Sequence, residues 1–303
     1  MPATKTYYTS FLILTALLLC FLVINVSLGS VAIPLKEIFA SVLGDDVEKP
    51  AWKYIVLHYR LPKAITAMLA GSGLALSGLL MQTLFRNPLA GPFVLGISSG
   101  ASLGAALLIM GSGILSMAFA FTVVSPLTLA AASSLGSFLV LLVVMIVAAR
   151  IRDTMAILII GLMFGSITAA VVSVLSFFSR SEALQQYIFW SMGSLGNLTW
   201  PQLGLLFFVF LTGLALSVAS LKALNSLLLG ENYARSLGLR LKRSRYMIII
   251  ATSLLAGSIT SFAGPIAFVG LAVPHLTRQV FNTTDHKILL PAVLLYGAIL
   301  MLV

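Results

Sequence analysis

Long apolar runs alternate with short polar breaks from one end of the chain to the other. The runs lie near residues 10–30, 61–84, 93–111, 118–148, 155–178, 201–221, 246–262, 265–281 and 288–303. A helix crosses the roughly 30 Å hydrocarbon core with about 20 apolar residues, and most of the runs have about that length. They are too long and too uniformly apolar for the alternating strands of a membrane barrel. Lipid offers no partner to an unpaired backbone group, so helices are the remaining assignment. The pattern predicts an all-α polytopic membrane protein, a single transmembrane domain over residues 1–303. After the first run, Leu28-Gly29-Ser30 makes a poor cleavage site and further spans follow, so that run reads as a membrane helix and not a signal peptide.

Composition agrees with this reading. The chain has 303 residues, 60% hydrophobic and 9% charged, with a mean hydropathy of +1.10. A soluble domain carries about 25% charged residues, so a water-soluble enzyme is excluded. The net charge of +10 would suggest nucleic acid if it lay on one surface. With the N-terminus in the cytoplasm it divides instead into twelve Lys and Arg against three acids inside, and six against five outside. That asymmetry fixes the orientation and leaves no polyanion-binding face.

Catalytic chemistry has little to stand on. The predicted span interiors hold no Asp or Glu, and the zinc-protease, serine-hydrolase and P-loop patterns are absent. A lone Cys20 and the scattered His58, His275 and His286 have no metal-ligand spacing. Without intramembrane acids an ion-coupled transporter is disfavoured.

Several segments carry more information. In Gly230-Glu231-Asn232-Tyr233-Ala234-Arg235-Ser236-Leu237-Gly238, composition favours a short helix with an acid in its first turn and Gly238 as terminator. Such a helix suits a cytoplasmic partner. Equally, Arg240, Lys242, Arg243 and Arg245 could hold the segment on anionic lipid headgroups. Arg60-Leu61-Pro62-Lys63 opens the second span with Pro62 in its first turn and two cations on one face. They fit an acidic external partner or ordinary snorkelling. Gly71-Ser72-Gly73-Leu74-Ala75-Leu76-Ser77-Gly78 reads first as a packing stripe. The helix then breaks at Arg86-Asn87-Pro88-Leu89-Ala90-Gly91-Pro92.

In this order the pieces resemble the FecCD-type permease family, the membrane subunits of ABC importers for iron-siderophore, haem and vitamin B12. The matching stretches are RLPK at 60–63, LAGSGLALSGLLMQ at 69–82, RNPLAGPFVLGISSGAS at 86–102, GENYARSLG at 230–238, FAGPIAFVGLAVPHLTR at 262–278 and DHKILLP at 285–291. The resemblance implies a ten-helix subunit of the bacterial inner membrane, paired with a second permease copy around a central path. A dimer of cytoplasmic ABC ATPases, which hold ATP and Mg, lies beneath. A periplasmic or lipid-anchored substrate-binding protein docks above. It assigns ATPase coupling to Gly230, Glu231, Ala234, Arg235, Leu237 and Gly238, with Glu231, Ala234 and Gly238 packed into an ATPase cleft. It assigns docking of the binding protein to Arg60 and Lys63. The cytoplasmic gate falls to Asn87, Leu89, Asp153, Thr154 and Met155. No catalytic residue, metal or cofactor is implied in this chain. The expected cargo is an iron chelate of siderophore type, with vitamin B12 or haem as the alternative. The family's tenth helix would lie beyond Val303.

Overall fold

A computed structural model describes residues 3–111, 125–150 and 154–303. Along the chain the helices are α1 (Ala3–Ser27), α2 (Leu35–Leu43), α3 (Pro50–Leu84), α4 (Ile97–Ile109), α5 (Pro126–Arg150), α6 (Thr154–Phe178) and α7 (Ser181–Ser191). They continue as α8 (Trp200–Ala219), α9 (Leu221–Leu228), α10 (Glu231–Ser236), α11 (Leu241–Ala263), α12 (Val269–Phe281) and α13 (His286–Leu302). Every run expected to span contains one of these helices. Among the described residues six helices, α1, α3, α5, α6, α8 and α11, are long and apolar enough to cross a membrane. The 13 residues of α4 and of α12 rise only about 20 Å, so the chain enters each through an irregular segment. Before α4 this is a tight turn over Pro92–Leu95, followed by Gly96 at φ 72°. Before α12 it is Gly264 to Phe268, both ends at positive φ. The span expected at 265–281 is therefore helical only from Val269.

A second boundary also differs from expectation. Pro62 reads as a first-turn residue, yet the helix begins twelve residues earlier at Pro50. Proline inside an α-helix removes a hydrogen bond and clashes with the carbonyl one turn back. Here the backbone widens into a π-turn over Val56–Arg60, in which Leu61 N–H bonds Val56 O. That leaves the Leu57 carbonyl without an intrahelical donor, because Leu61 N–H is taken and Pro62 has none. The indole Nε1–H of Trp200, at the start of α8, donates to it at 3.0 Å.

The core is assembled around α3, which packs on α11, α12 and α13. The small-residue stripe allows this. A Cβ added at Gly71 would lie 2.0 Å from Gly297 O on α13, and one at Gly78 only 1.6 Å from Gly270 O on α12. Backbones that approach so closely admit no side chain between them. Ser72 Oγ spans the same seam, donating to Leu294 O at 2.8 Å. A second close pair, α4 on α5, forms at Gly100 and Gly136. Many buried hydroxyls within spans, including Thr66, Ser217, Thr260 and Ser261, donate to a carbonyl one turn back on their own helix. They are satisfied in place and build no polar site.

Candidate functional site

Most of the residues singled out by sequence gather at the basic end of the bundle. There α8 gives way to α9, which buries Ala223, Leu224 and Leu227. Gly230, at φ 101°, turns the chain into α10. Gly238, at φ 81°, ends that helix, its N–H on Arg235 O and the Leu239 N–H on Ala234 O. This αL closure is the reason for glycine at that place. Between the two turns α10 presents Tyr233 and Leu237, 55% and 59% exposed, together with Asn232, Arg235 and Ser236.

One expectation for this helix needs correction. Ala234 is fully buried within its own chain and has no surface to place in a partner's cleft. Its role is to let α10 lie flat on the bundle. Glu231 is engaged in an ion pair with Arg245 of α11. Arg245, read from sequence as a possible lipid anchor, instead ties α10 to the bundle. Tyr233, the exposed aromatic of the motif, received no role from sequence, although an aromatic at the centre of an exposed turn is a recognisable anchor. Beside α10 lies a cleft of about 740 Å³, lined on one wall by Gly230, Glu231, Tyr233 and Ser236 and on the other by Phe85 and Arg86.

The opposite wall of that cleft leads into the break after α3. Arg86 takes φ 49°, and Asn87 Oδ1 accepts the Leu89 N–H at 2.9 Å, closing a tight Asx turn. Leu89 stands 68% exposed at its tip. The following turn packs on α6, where a Cβ at Gly161 would meet Val94 O at 2.0 Å. The structure thus brings Asn87 and Leu89 to the same end as Thr154 and Met155, the first residues of α6. Asp153 lies outside the described residues.

A buried polar cluster stands behind this surface. Asp285, N-cap of α13, accepts the Lys287 N–H at 3.0 Å and the Asn225 amide at 2.7 Å. The backbone donor, helped by Asn225 and against partial burial, holds its carboxyl below the usual aspartate range. Sequence reasoning left Asn225, Asp285, Thr83 and His286 unassigned beyond the DHK motif, since only the fold brings α3, α9 and α13 together.

At the other end of the molecule Arg60 and Lys63 part company. Paired docking cations were expected on one face, but Arg60 is buried at 8% exposure while Lys63 is exposed. The Arg60 guanidinium donates to Val26 O at 2.9 Å, to Ser27 O at 2.7 Å and to Val31 O. It satisfies the orphan carbonyls where α1 ends, as a cation at a helix C-terminus should. Nearby a pocket of about 830 Å³ is walled by Tyr54, Trp190, Trp200 and Phe262. Among the described residues no three His, Cys, Asp or Glu side chains converge as a metal site.

Comparison with known proteins bears on the whole chain. The model of the FecCD transport family matches residues 17–303. The Vitamin B12 import system permease protein BtuC of Klebsiella pneumoniae subsp. pneumoniae is 36% identical over 286 residues, covering 94% of this chain and 80% of that protein. Its counterpart in Salmonella typhi is 37% identical over 248 residues, 82% of this chain and 73% of the relative. A solved structure assigned to the metal-chelate type of ABC transporter, in an inward-facing conformation, superposes with a TM-score of 0.83 at 30% identity. It covers 95% of this chain and 86% of its own.

Proposed function

The chain belongs to the FecCD transport family, and from that premise we propose that it carries vitamin B12 across the bacterial inner membrane with its N-terminus in the cytoplasm. It is a multi-pass permease of an ABC importer, a transport subunit and not an enzyme. The iron-siderophore cargo first expected from sequence has no specific support. The curated relatives are named for vitamin B12, itself a cobalt chelate, and the solved relative is of metal-chelate type.

The observation that carries the mechanism is the short helix α10, held flat on the bundle with Tyr233 and Leu237 turned outward. An ATPase dimer engages this helix from the cytoplasm through Tyr233, Leu237 and Arg235. The Gly230 and Gly238 turns set its angle, and the Glu231–Arg245 pair fastens it to α11. Closure of the ATPases on ATP moves α10 and shifts the balance between outward- and inward-open states. Asn87 and Leu89, with Asp153, Thr154 and Met155, form the cytoplasmic gate of a path shared with a second permease copy. Lys63 offers its charge to an acidic patch on the periplasmic or lipid-anchored binding protein, while Arg60 acts behind it by fixing α1.

Reconstitution with an ATPase and binding protein in liposomes tests this. The expected result is cobalamin uptake that needs ATP and survives collapse of ion gradients. Uptake driven by a gradient without ATP overturns the ABC mechanism. Import of a ferric siderophore with none of cobalamin overturns the cargo.

A further inference from the structure

Three helices meet behind the cytoplasmic surface through side chains for which transport has so far supplied no role. Thr83 lies in the last turn of α3, Asn225 in α9, and His286 opens α13. His286 is fully buried and Thr83 2% exposed. Asn225 Nδ2 donates to Asp285 Oδ1, and its Oδ1 accepts the His286 backbone N–H at 3.0 Å. Those two bonds orient the amide. The same Oδ1 lies 2.7 Å from His286 Nδ1, and because Oδ1 only accepts, Nδ1 carries a proton. The other ring nitrogen, Nε2, is 2.8 Å from Thr83 Oγ1. In the neutral ring Nε2 accepts, so the threonine hydroxyl donates to it. That hydroxyl also lies 2.9 Å from Leu79 O on its own helix. It therefore has two acceptors for one proton: the ring, which ties α3 to α13, or Leu79, which releases it.

Each end of this chain of bonds leads to a working part. The Thr83 carbonyl accepts the Arg86 N–H at 3.2 Å, and the Gln82 carbonyl accepts the Asn87 N–H at 3.1 Å. The gate turn thus hangs from Thr83, which His286 grips, and from Gln82 beside it. Gln82 is held in turn, its side chain accepting from Arg278 Nη1 at 2.7 Å and donating to Leu271 O at 3.1 Å. At the other end Asn225 belongs to α9, joined to α10 through Gly230. Apolar contacts slide with little change in energy. Hydrogen bonds weaken steeply with distance and angle, so a bonded chain passes on a displacement or breaks.

We propose that Thr83, His286 and Asn225 form the link by which movement of α10 reaches the gate, with His286 as its positioning residue. The inference rests on the reading of α10 as coupling helix and of Asn87 and Leu89 as gate. The test uses the complete transporter with its ATPase and binding protein, spin-labelled at Leu89→Cys in a Cys20→Ser background. In the parent, ATP is expected to shift the distance between the two labelled gates. Thr83→Val, which removes only the hydroxyl, should lose most of that shift while ATPase binding and ATP hydrolysis persist, and Thr83→Ser should restore it. Thr66→Val is the control, equally buried and bonded only to Pro62 O. A normal shift in Thr83→Val, or equal loss in Thr66→Val, overturns the link. A parent gate that ignores ATP overturns the gate assignment, and the link with it.

Discussion

Two spans, α3 and α6, are both long and strongly apolar, and the fold uses them in opposite ways. The most apolar window of α3 is 89% buried and that of α6 is 11% buried, although α6 is the more apolar of the two. Hydropathy reports only that a segment tolerates lipid. Burial follows from small residues, since dispersion contacts between helices grow as backbones approach. The stripe from Gly71 to Gly78 brings α3 against two neighbours. Along α6 the side chains of Ile159, Met163, Ile167 and Val174 face outward, each at least half exposed, away from the rest of the bundle. Gly161, under the turn before α4, is one place where α6 meets a neighbouring backbone.

The strongest way to break this contrast is a single methyl group. Gly78→Ala would force α3 off α12, and overpacking of backbone on backbone is expected to cost about 3 kcal/mol or more. Gly165→Ala on α6 meets nothing nearer than Ser99 Oγ at 3.4 Å and should change stability by about 0.5 kcal/mol or less. Thermal unfolding in detergent compares them, and equal losses would sink the distinction between pillar and periphery. Next in size, Arg60→Met unbonds two carbonyls at the end of α1 and that of Val31 in the segment after it, and should destabilise by about 2 kcal/mol. Lys63→Met should leave the melting curve in place while weakening capture of the binding protein about tenfold. A reversed outcome for the two would return Arg60 to the docking surface. Tyr233→Ala should reduce affinity for the ATPase by about tenfold without loss of fold, read by titration of the purified subunits. Smallest of all, Val174→Ala should move the unfolding midpoint by the equivalent of about 0.5 kcal/mol at most. A larger drop would mean that α6 is packed within the subunit.

Much of the architecture was legible because lipid imposes a length and a polarity that a single sequence displays. The α10 segment was legible for a local reason: glycines at 230 and 238 bracket an acid-led helical stretch. What stayed hidden depended on distant parts of the chain. Four residues could not disclose that Arg60 turns toward carbonyls thirty positions earlier while Lys63 turns away. Ala234 looked available because an exposed and a buried alanine read alike. His286 showed no metal-ligand spacing in sequence, and its side-chain partners are an amide on α9 and a hydroxyl on α3.

The π-turn in α3 has a consequence for every residue before it. It adds one residue to the helix without adding a turn, so the segment from Pro50 to Ile55 is rotated by about 100° from the phase set by the membrane-embedded part. A helical wheel drawn through 50–84 in one register therefore assigns the first six residues of this span to the wrong faces. Deleting one residue within 56–60 would restore the phase and, in doing so, swing Trp52 and Tyr54 off their present neighbours and withdraw the carbonyl that Trp200 now holds. This end of the permease is keyed to an irregularity one residue long.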